Sequence, residues 1–270
     1  MPLADTIAMI GGGQMALALA DGFCRAGLLQ PQQIVVSEPH PEARARLETR
    51  LPGVRFAESG TAADEAGLVI LAVKPQQAAE ACGAIVGHLQ PDAVLVSIVA
   101  GLSTTTLHQL AKTDRIVRVM PNTPCLVGKG VSAICRTPAV GDAAFQRVST
   151  LLSAVGTVHS VDEDLLDAVT GLSGSGPGYI AMVAESLAAG GVAAGLPEPL
   201  ALALAVETLA GTAALLEQSG EHPAEIRKRV CSPGGTTLAG LAAMEEGGVA
   251  RGLAAGVVAA RDRARELGSG

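Results

Sequence analysis

Apolar residues along the first 160 positions come in short β-branched runs separated by helical stretches. The runs are Thr6 to Ile10, Gln33 to Ser37, Leu68 to Val73, Ala93 to Ile98 and Arg115 to Met120. Alternation of this kind predicts a parallel sheet with helices on both faces, a doubly wound α/β domain. Two more strand-like pieces, Gly130 to Cys135 and Gly156 to Val161, bracket a helical stretch near Asp142 to Leu152 and extend the sheet. From about Asp162 the β pattern stops. Long Ala/Leu segments follow at Tyr179 to Ala194, Pro197 to Gln218, Pro223 to Val230, Thr236 to Glu246 and Val249 to Leu267, which predicts an all-α second domain. The expected boundaries are therefore 1–161 and 162–270. Pro197 and Pro223 fit first-turn positions, Gly220 and Gly268 fit helix ends, and Thr170 to Gly178 forms a glycine-rich passage between the two domains.

Composition narrows the function classes. A chain of 270 residues has room for two modest domains, and 19 basic against 26 acidic residues give a net charge of −7. That balance argues against a broad nucleic-acid or anionic-membrane footprint. The longest strictly apolar run, Leu200 to Val206, is far short of the roughly 20 residues a spanning helix needs, so a soluble protein is expected. Five cysteines without a CxxC pair, and a start that enters a strand pattern at once, suit a reducing cytoplasm. No tryptophan, one tyrosine and three phenylalanines leave a core of small aliphatic residues; Ala-rich helices of this kind often need partners to cover them. None of the five histidines has a metal-ligand spacing, and no metal is expected.

The first chemical signal is Gly11-Gly12-Gly13-Gln14-Met15-Ala16, placed between a strand and a helix. Gly11 allows the tight turn, Gly13 lets the backbone approach a pyrophosphate, and Ala16 takes the third glycine's place at the helix–sheet contact. An ordinary glycine-rich βα turn is the plain alternative. At the end of the second strand, Glu38 suits the adenosine ribose hydroxyls of NAD and repels the extra phosphate of NADP, whereas Ser37, His40 and Arg44 lie close enough to receive that phosphate. Val73-Lys74-Pro75, Ala100-Gly101 and Pro121-Asn122-Thr123-Pro124 follow later strands at the same edge of the sheet, where ligands bind in such folds.

A second signal is Ser232-Pro233-Gly234-Gly235-Thr236-Thr237, which sets hydroxyls and two glycines at a helix start. Free N–H groups and the positive end of the helix dipole make this a place for a carboxylate or phosphate, or simply a well-capped helix.

Taken in order, the glycine loop, Ala72-Val73-Lys74-Pro75, Met120 to Pro124, the Asp167 to Pro177 passage and Ser232 to Thr237 resemble the pyrroline-5-carboxylate reductase family over nearly the whole chain. That resemblance implies a Rossmann domain followed by a helical dimerisation domain in a homodimer or higher homo-oligomer. It implies NADPH- or NADH-dependent reduction of 1-pyrroline-5-carboxylate to L-proline, the last step of proline synthesis. By motif, the cofactor set is Gly11, Gly12, Gly13, Gln14, Met15, Ser37, Glu38, Ser59, Val73, Lys74, Ala100 and Asn122. The substrate set is Glu163, Ser232, Gly235, Thr236 and Thr237, with Thr237 the one catalytic residue. Ser59 stands where many members carry asparagine. The chemistry is consistent: a protonated imine already carries the charge that hydride neutralises, so no protein acid is required, and Gly171 to Glu185 lacks the lysine that β-hydroxyacid dehydrogenases place there. A related imine or hydroxyacid oxidoreductase and a non-catalytic dinucleotide sensor are the alternatives.

Overall fold

The computed structural model describes residues 6–268. The outermost positions of the two expected domains, including the start of the chain ahead of its first strand, lie outside the described residues. Contacts divide the chain into two compact units, one formed by the residues up to 175 together with those from 259 onward, the other by 176–258.

In the first unit eight strands form a single sheet: β1 (Ile7–Ile10), β2 (Ile34–Ser37), β3 (Arg55–Phe56), β4 (Leu68–Leu71), β5 (Val94–Ser97), β6 (Ile116–Met120), β7 (Gly130–Arg136) and β8 (Gly156–Ser160). The order is β3-β2-β1-β4-β5-β6-β7-β8. Every pairing is parallel except β6 with β7, which is antiparallel. That exception follows from the connection. Only nine residues separate Met120 from Gly130, too few for a right-handed crossover helix, so the chain turns back on itself. β3 spans two residues, Arg55 and Phe56, and has no apolar run to announce it.

Helices α1 (Gln14–Arg25), α2 (Pro41–Arg50), α3 (Ser59–Asp64), α4 (Ala78–Gly83), α5 (Thr104–Ala111) and α6 (Asp142–Ser153) cover the sheet. One core layer joins Ile7, Met9, Leu19, Phe23, Val36, Leu47 and Leu151, and the other joins Ala8, Ile10, Val35, Leu71, Leu95 and Leu107. Alternate residues of β1 thus face opposite layers, as the pleat requires of a strand covered on both sides. β1 and β4 meet in the middle of the order, and the chain departs toward opposite sides from there. This is the topological switch point, with the crevice at the carboxyl ends of the strands.

Beyond β8 the short helix α7 (Leu166–Val169) runs into Thr170–Gly174, a single π-helical turn closed by Ser175 N–H donating to the Thr170 carbonyl at 2.9 Å. The expected glycine-rich passage is therefore helical. α8 (Gly176–Ala193), α9 (Glu198–Ser219), α10 (Pro223–Val230), α11 (Thr236–Glu246) and α12 (Val249–Gly268) follow. Pro197 is the N-cap of α9 and Pro223 opens α10, while Gly220 ends α9 in the left-handed conformation at φ 63°.

α8 and α9 pack through Ala188, Ala201 and Ala205. A Cβ on Gly191 would stand 3.1 Å from that of Ala201, so small residues set the close approach of these helices. The Tyr179 hydroxyl donates to the Gly256 carbonyl at 3.2 Å. Little else in this unit is buried. Ile180, Met182, Leu200, Leu202, Leu204, Val206 and Leu215 are all exposed. Among the described residues α9 is also the one helix long and apolar enough to cross a membrane, although Glu207 and Glu217 interrupt it.

Candidate functional site

The glycine loop has the geometry its sequence demands. Gly11 sits at φ +99°, and a Cβ there would lie 2.7 Å from the Ala72 carbonyl oxygen, so neither the conformation nor the space admits a side chain. Gly12 packs under Leu47 and the stem of Glu38. Gly13 has no atom within 4 Å of where its Cβ would stand. Its openness exposes the start of α1, which has no side-chain cap. Ala16, wholly buried, lets the helix lie on the sheet. Gln14 is exposed and Met15 half-buried against the core.

Gly11, Gly13, Ser37, Glu38, Ser59, Val73 and Lys74 line one cleft of about 880 Å³ at the carboxyl edge of the sheet. His40, Arg44, Arg46 and Gln77 are also in its wall, together with the exposed carboxylates of Glu42, Glu58 and Glu80. Glu38 is only 7% exposed; its Oε2 accepts from Gly12 N–H at 2.8 Å and its Oε1 from His40 N–H at 2.9 Å. Arg44 donates through Nε to the Glu38 carbonyl at 2.6 Å and lies 5.3 Å from the Phe56 ring centroid. The Ser37 and Ser59 hydroxyls are hydrogen-bonded at 2.9 Å. Lys74 caps the short 3-10 turn Pro75–Gln77 and is exposed.

An extended, anionic dinucleotide fits this cleft. The uncapped start of α1 and the open backbone at Gly13 are what a pyrophosphate requires, with Arg44, Arg46 and Lys74 in the lining beside the carboxylates of Glu38, Glu42, Glu58 and Glu80.

Gly12, Gln14, Met15, Ala100 and Asn122 are not part of the lining. Ala100 follows β5, next to Gly101, whose φ is +83° and whose Cβ would come 3.0 Å from the Ala264 carbonyl in α12. Asn122, 8% exposed, donates from Nδ2 to the Ser173 carbonyl at 3.1 Å and accepts at Oδ1 from Val131 N–H at 2.8 Å. Its amide ties the turn after β6 to β7 and to the π-helical turn.

Glu163 opens the 3-10 turn after β8, and its carboxylate is fully engaged within the first unit. Oε1 accepts from Thr104 N–H and from Arg118 Nη1, each at 2.6 Å, and Oε2 accepts from the Thr104 hydroxyl at 2.6 Å. Burial pushes this carboxyl upward, but the Thr104 hydroxyl and N–H and the Arg118 guanidinium outweigh it, and the pKa falls below the ordinary 4.5. Arg118 and Thr104 were not anticipated. The available signal was an arginine in the middle of the apolar run Ile116 to Met120, since a charge in a buried strand needs a partner.

In the other unit, Ser232 to Gly235 form a tight turn, with Gly235 N–H donating to the Ser232 carbonyl at 2.9 Å. Pro233 followed by Gly234 at φ +68° is the type II pattern. A Cβ on Gly235 would stand 2.3 Å from the Ser232 hydroxyl oxygen and 3.0 Å from its carbonyl oxygen, so a side chain there would force the Ser232 hydroxyl to turn away. Gly235 is the N-cap of α11, with no side-chain cap, which leaves the first-turn N–H groups at Thr236 and Thr237 without side-chain acceptors. Ser232 therefore shapes the turn while Gly235 caps the helix.

Among the described residues, no group of three or more His, Cys, Asp or Glu side chains could hold a metal. Cys24, Cys82 and Cys135 have thiols pushed up to about 11, in each case first by burial. They are packing residues, not nucleophiles.

A doubly wound sheet with a glycine-loop cleft at its switch point, joined to a helical segment, defines a dinucleotide-binding oxidoreductase. Residues 6–101 match the family model described as NADP oxidoreductase coenzyme F420-dependent, and residues 163–267 match the model of pyrroline-5-carboxylate reductase dimerisation. The chain belongs to the pyrroline-5-carboxylate reductase family. It is 40% identical to the pyrroline-5-carboxylate reductase of Pisum sativum over 97% of this chain and 96% of that one. The NADP-bound pyrroline carboxylate reductase of Plasmodium falciparum superposes with a TM-score of 0.91 at 27% identity, covering 99% and 100% of the two chains. The Coxiella burnetii pyrroline-5-carboxylate reductase gives 0.88 at 30%, covering 98% and 99%.

Proposed function

We propose that this protein reduces 1-pyrroline-5-carboxylate to L-proline with NADPH or NADH. One observation carries the reading: a single chain of this family holds both a glycine-loop cleft and a helix-start turn with free N–H groups, without a lysine proton donor between residues 171 and 185.

When bound, the nicotinamide cofactor supplies hydride. The chain's own residues hold and orient the reactants. Gly11 to Met15 receive the pyrophosphate at the start of α1, and Lys74 adds a positive charge at the cleft wall. Gly235, Thr236 and Thr237 grip the substrate carboxylate through backbone N–H groups at the start of α11, where the helix dipole favours an anion. The Thr237 hydroxyl accepts a hydrogen bond from the iminium N–H and orients the ring. Since the iminium nitrogen already carries its proton and the positive charge that hydride neutralises, no side chain has to donate a proton to it as hydride reaches the carbon. Glu163, expected on the substrate side, has its carboxylate already shared between Thr104 and Arg118. Asn122, engaged at both ends of its amide, supports the turn beside the nicotinamide end.

Residues 162–270 form the substrate-binding and dimerisation domain in this reading. The apolar side chains of α8 and α9 exposed in one chain are covered by a second copy, which accounts for a helix as apolar as α9 without a membrane.

The purified protein, given 1-pyrroline-5-carboxylate with NADH or NADPH, is expected to consume dihydronicotinamide absorbance and form proline. Cofactor binding by calorimetry with no turnover on any cyclic imine would instead mark a dinucleotide sensor.

A further inference from the structure

We propose that Glu38 makes this enzyme select NADH over NADPH, and that the cleft is otherwise equipped for the extra phosphate. The inference rests on the dinucleotide reading above. Glu38 directly follows β2, the strand whose end meets the adenosine ribose in folds of this type. Its carboxylate cannot swing away, because Gly12 N–H holds one oxygen at 2.8 Å and His40 N–H holds the other at 2.9 Å. The side-chain stem is also pressed beneath Gly12, with Cβ and Cγ each 3.0 Å from where a Gly12 Cβ would stand.

Each oxygen thus spends one lone pair on the backbone and keeps another for the cleft. A ribose diol can donate to those lone pairs. A 2′-phosphate brings only acceptors and negative charge to a fixed carboxylate that is 7% exposed, where water screens poorly.

Other groups of the wall point the other way. Ser37 and Ser59 offer two hydroxyls 2.9 Å apart. Arg44, with Nε on the Glu38 carbonyl and its plane over Phe56, keeps its terminal amino groups uncommitted to that bond, and His40 and Arg46 line the same cleft. These groups suit a phosphate; of the four carboxylates in the lining, Glu42, Glu58 and Glu80 are exposed to water, and Glu38 alone is buried among them. Glu38 is accordingly a specificity residue whose removal exposes a latent phosphate site.

The test is calorimetric titration of the full-length protein with NADH, NADPH, ADP-ribose and 2′-phospho-ADP-ribose, none of which requires turnover. The wild type should bind NADH and ADP-ribose at least about tenfold more tightly than their 2′-phosphorylated counterparts. Glu38→Gln, which keeps an accepting oxygen and the side-chain length, should erase that ratio, and Glu38→Ser should reverse it. Equal or tighter wild-type binding of the phosphorylated ligands overturns the inference while leaving the dinucleotide site intact. Failure of all four ligands to bind overturns both. Should the Glu38 variants fold poorly, the wild-type ratio alone still decides.

Discussion

Thr237 is the residue on which the proposed chemistry is most exposed to test. In Thr237→Ala the backbone N–H groups that hold the carboxylate persist, and only the acceptor for the iminium N–H is lost. Its kcat/KM should fall by about tenfold or more with the cofactor Kd nearly unchanged. Unaltered kinetics would remove Thr237 from the mechanism. Lys74→Ala should do the reverse, weakening cofactor Kd by about tenfold before kcat changes. Glu163 carries a different forecast. Its pKa is depressed in the folded state, so its contribution to stability is complete above the unfolded value and disappears as pH falls through the folded one. Glu163→Gln should cost about 1 kcal/mol at neutral pH, a modest figure because the carboxylate is partly exposed. The gap between the two proteins in denaturant midpoint should close as pH drops below 4.5, the ordinary carboxyl value. A gap that stays constant to pH 3 would show that the ion pair is not its source. The sequence revealed the motif residues but not this cluster, because Thr104, Arg118 and Glu163 lie 14 and 45 positions apart and share no local pattern.

Among the elements, the strand–loop–helix at Gln14 was legible because each of its small residues has one physical job. Gly11→Ala puts both the positive φ and the 2.7 Å approach to Ala72 to the test. It should lower stability by about 1–3 kcal/mol and weaken dinucleotide binding together, measured by thermal unfolding and titration. Loss of binding with unchanged stability would mean that the loop relaxes around the methyl group. Strand positions were equally legible from their apolar runs, β1, β2 and β5 matching to within one residue at each end. β3 was not legible, since two residues pairing with Val35 and Val36 produce no periodicity. The antiparallel return into β7 was also hidden, because pairing direction is set by connection length rather than by strand composition. At the other site, Ser232 to Gly235 reads as a helix start from sequence, whereas the helix begins at Thr236 and the four preceding residues form the turn that aims it.

Across the whole molecule, the helical segment cannot be understood as a solitary chain. Helices that leave Leu202, Val206 and Leu215 exposed forgo burial worth about 1.5–3 kcal/mol per large side chain, which we propose a second copy recovers. The double substitution Leu202→Glu and Val206→Glu, one helical turn apart on α9, should therefore shift the protein to monomer by light scattering. An unchanged mass would place the covering surface elsewhere. Composition had flagged this need through its Ala-rich helices, but no pattern in one sequence says which face meets which partner.

The central claim is hydride delivery to the imine carbon of 1-pyrroline-5-carboxylate, and isotope tracing tests it most directly. With dihydronicotinamide cofactor deuterated at the transferable position, mass spectrometry should find proline one mass unit heavier, with the deuterium on the ring carbon next to nitrogen. Unlabelled proline, or cofactor bound with no proline formed, would contradict it.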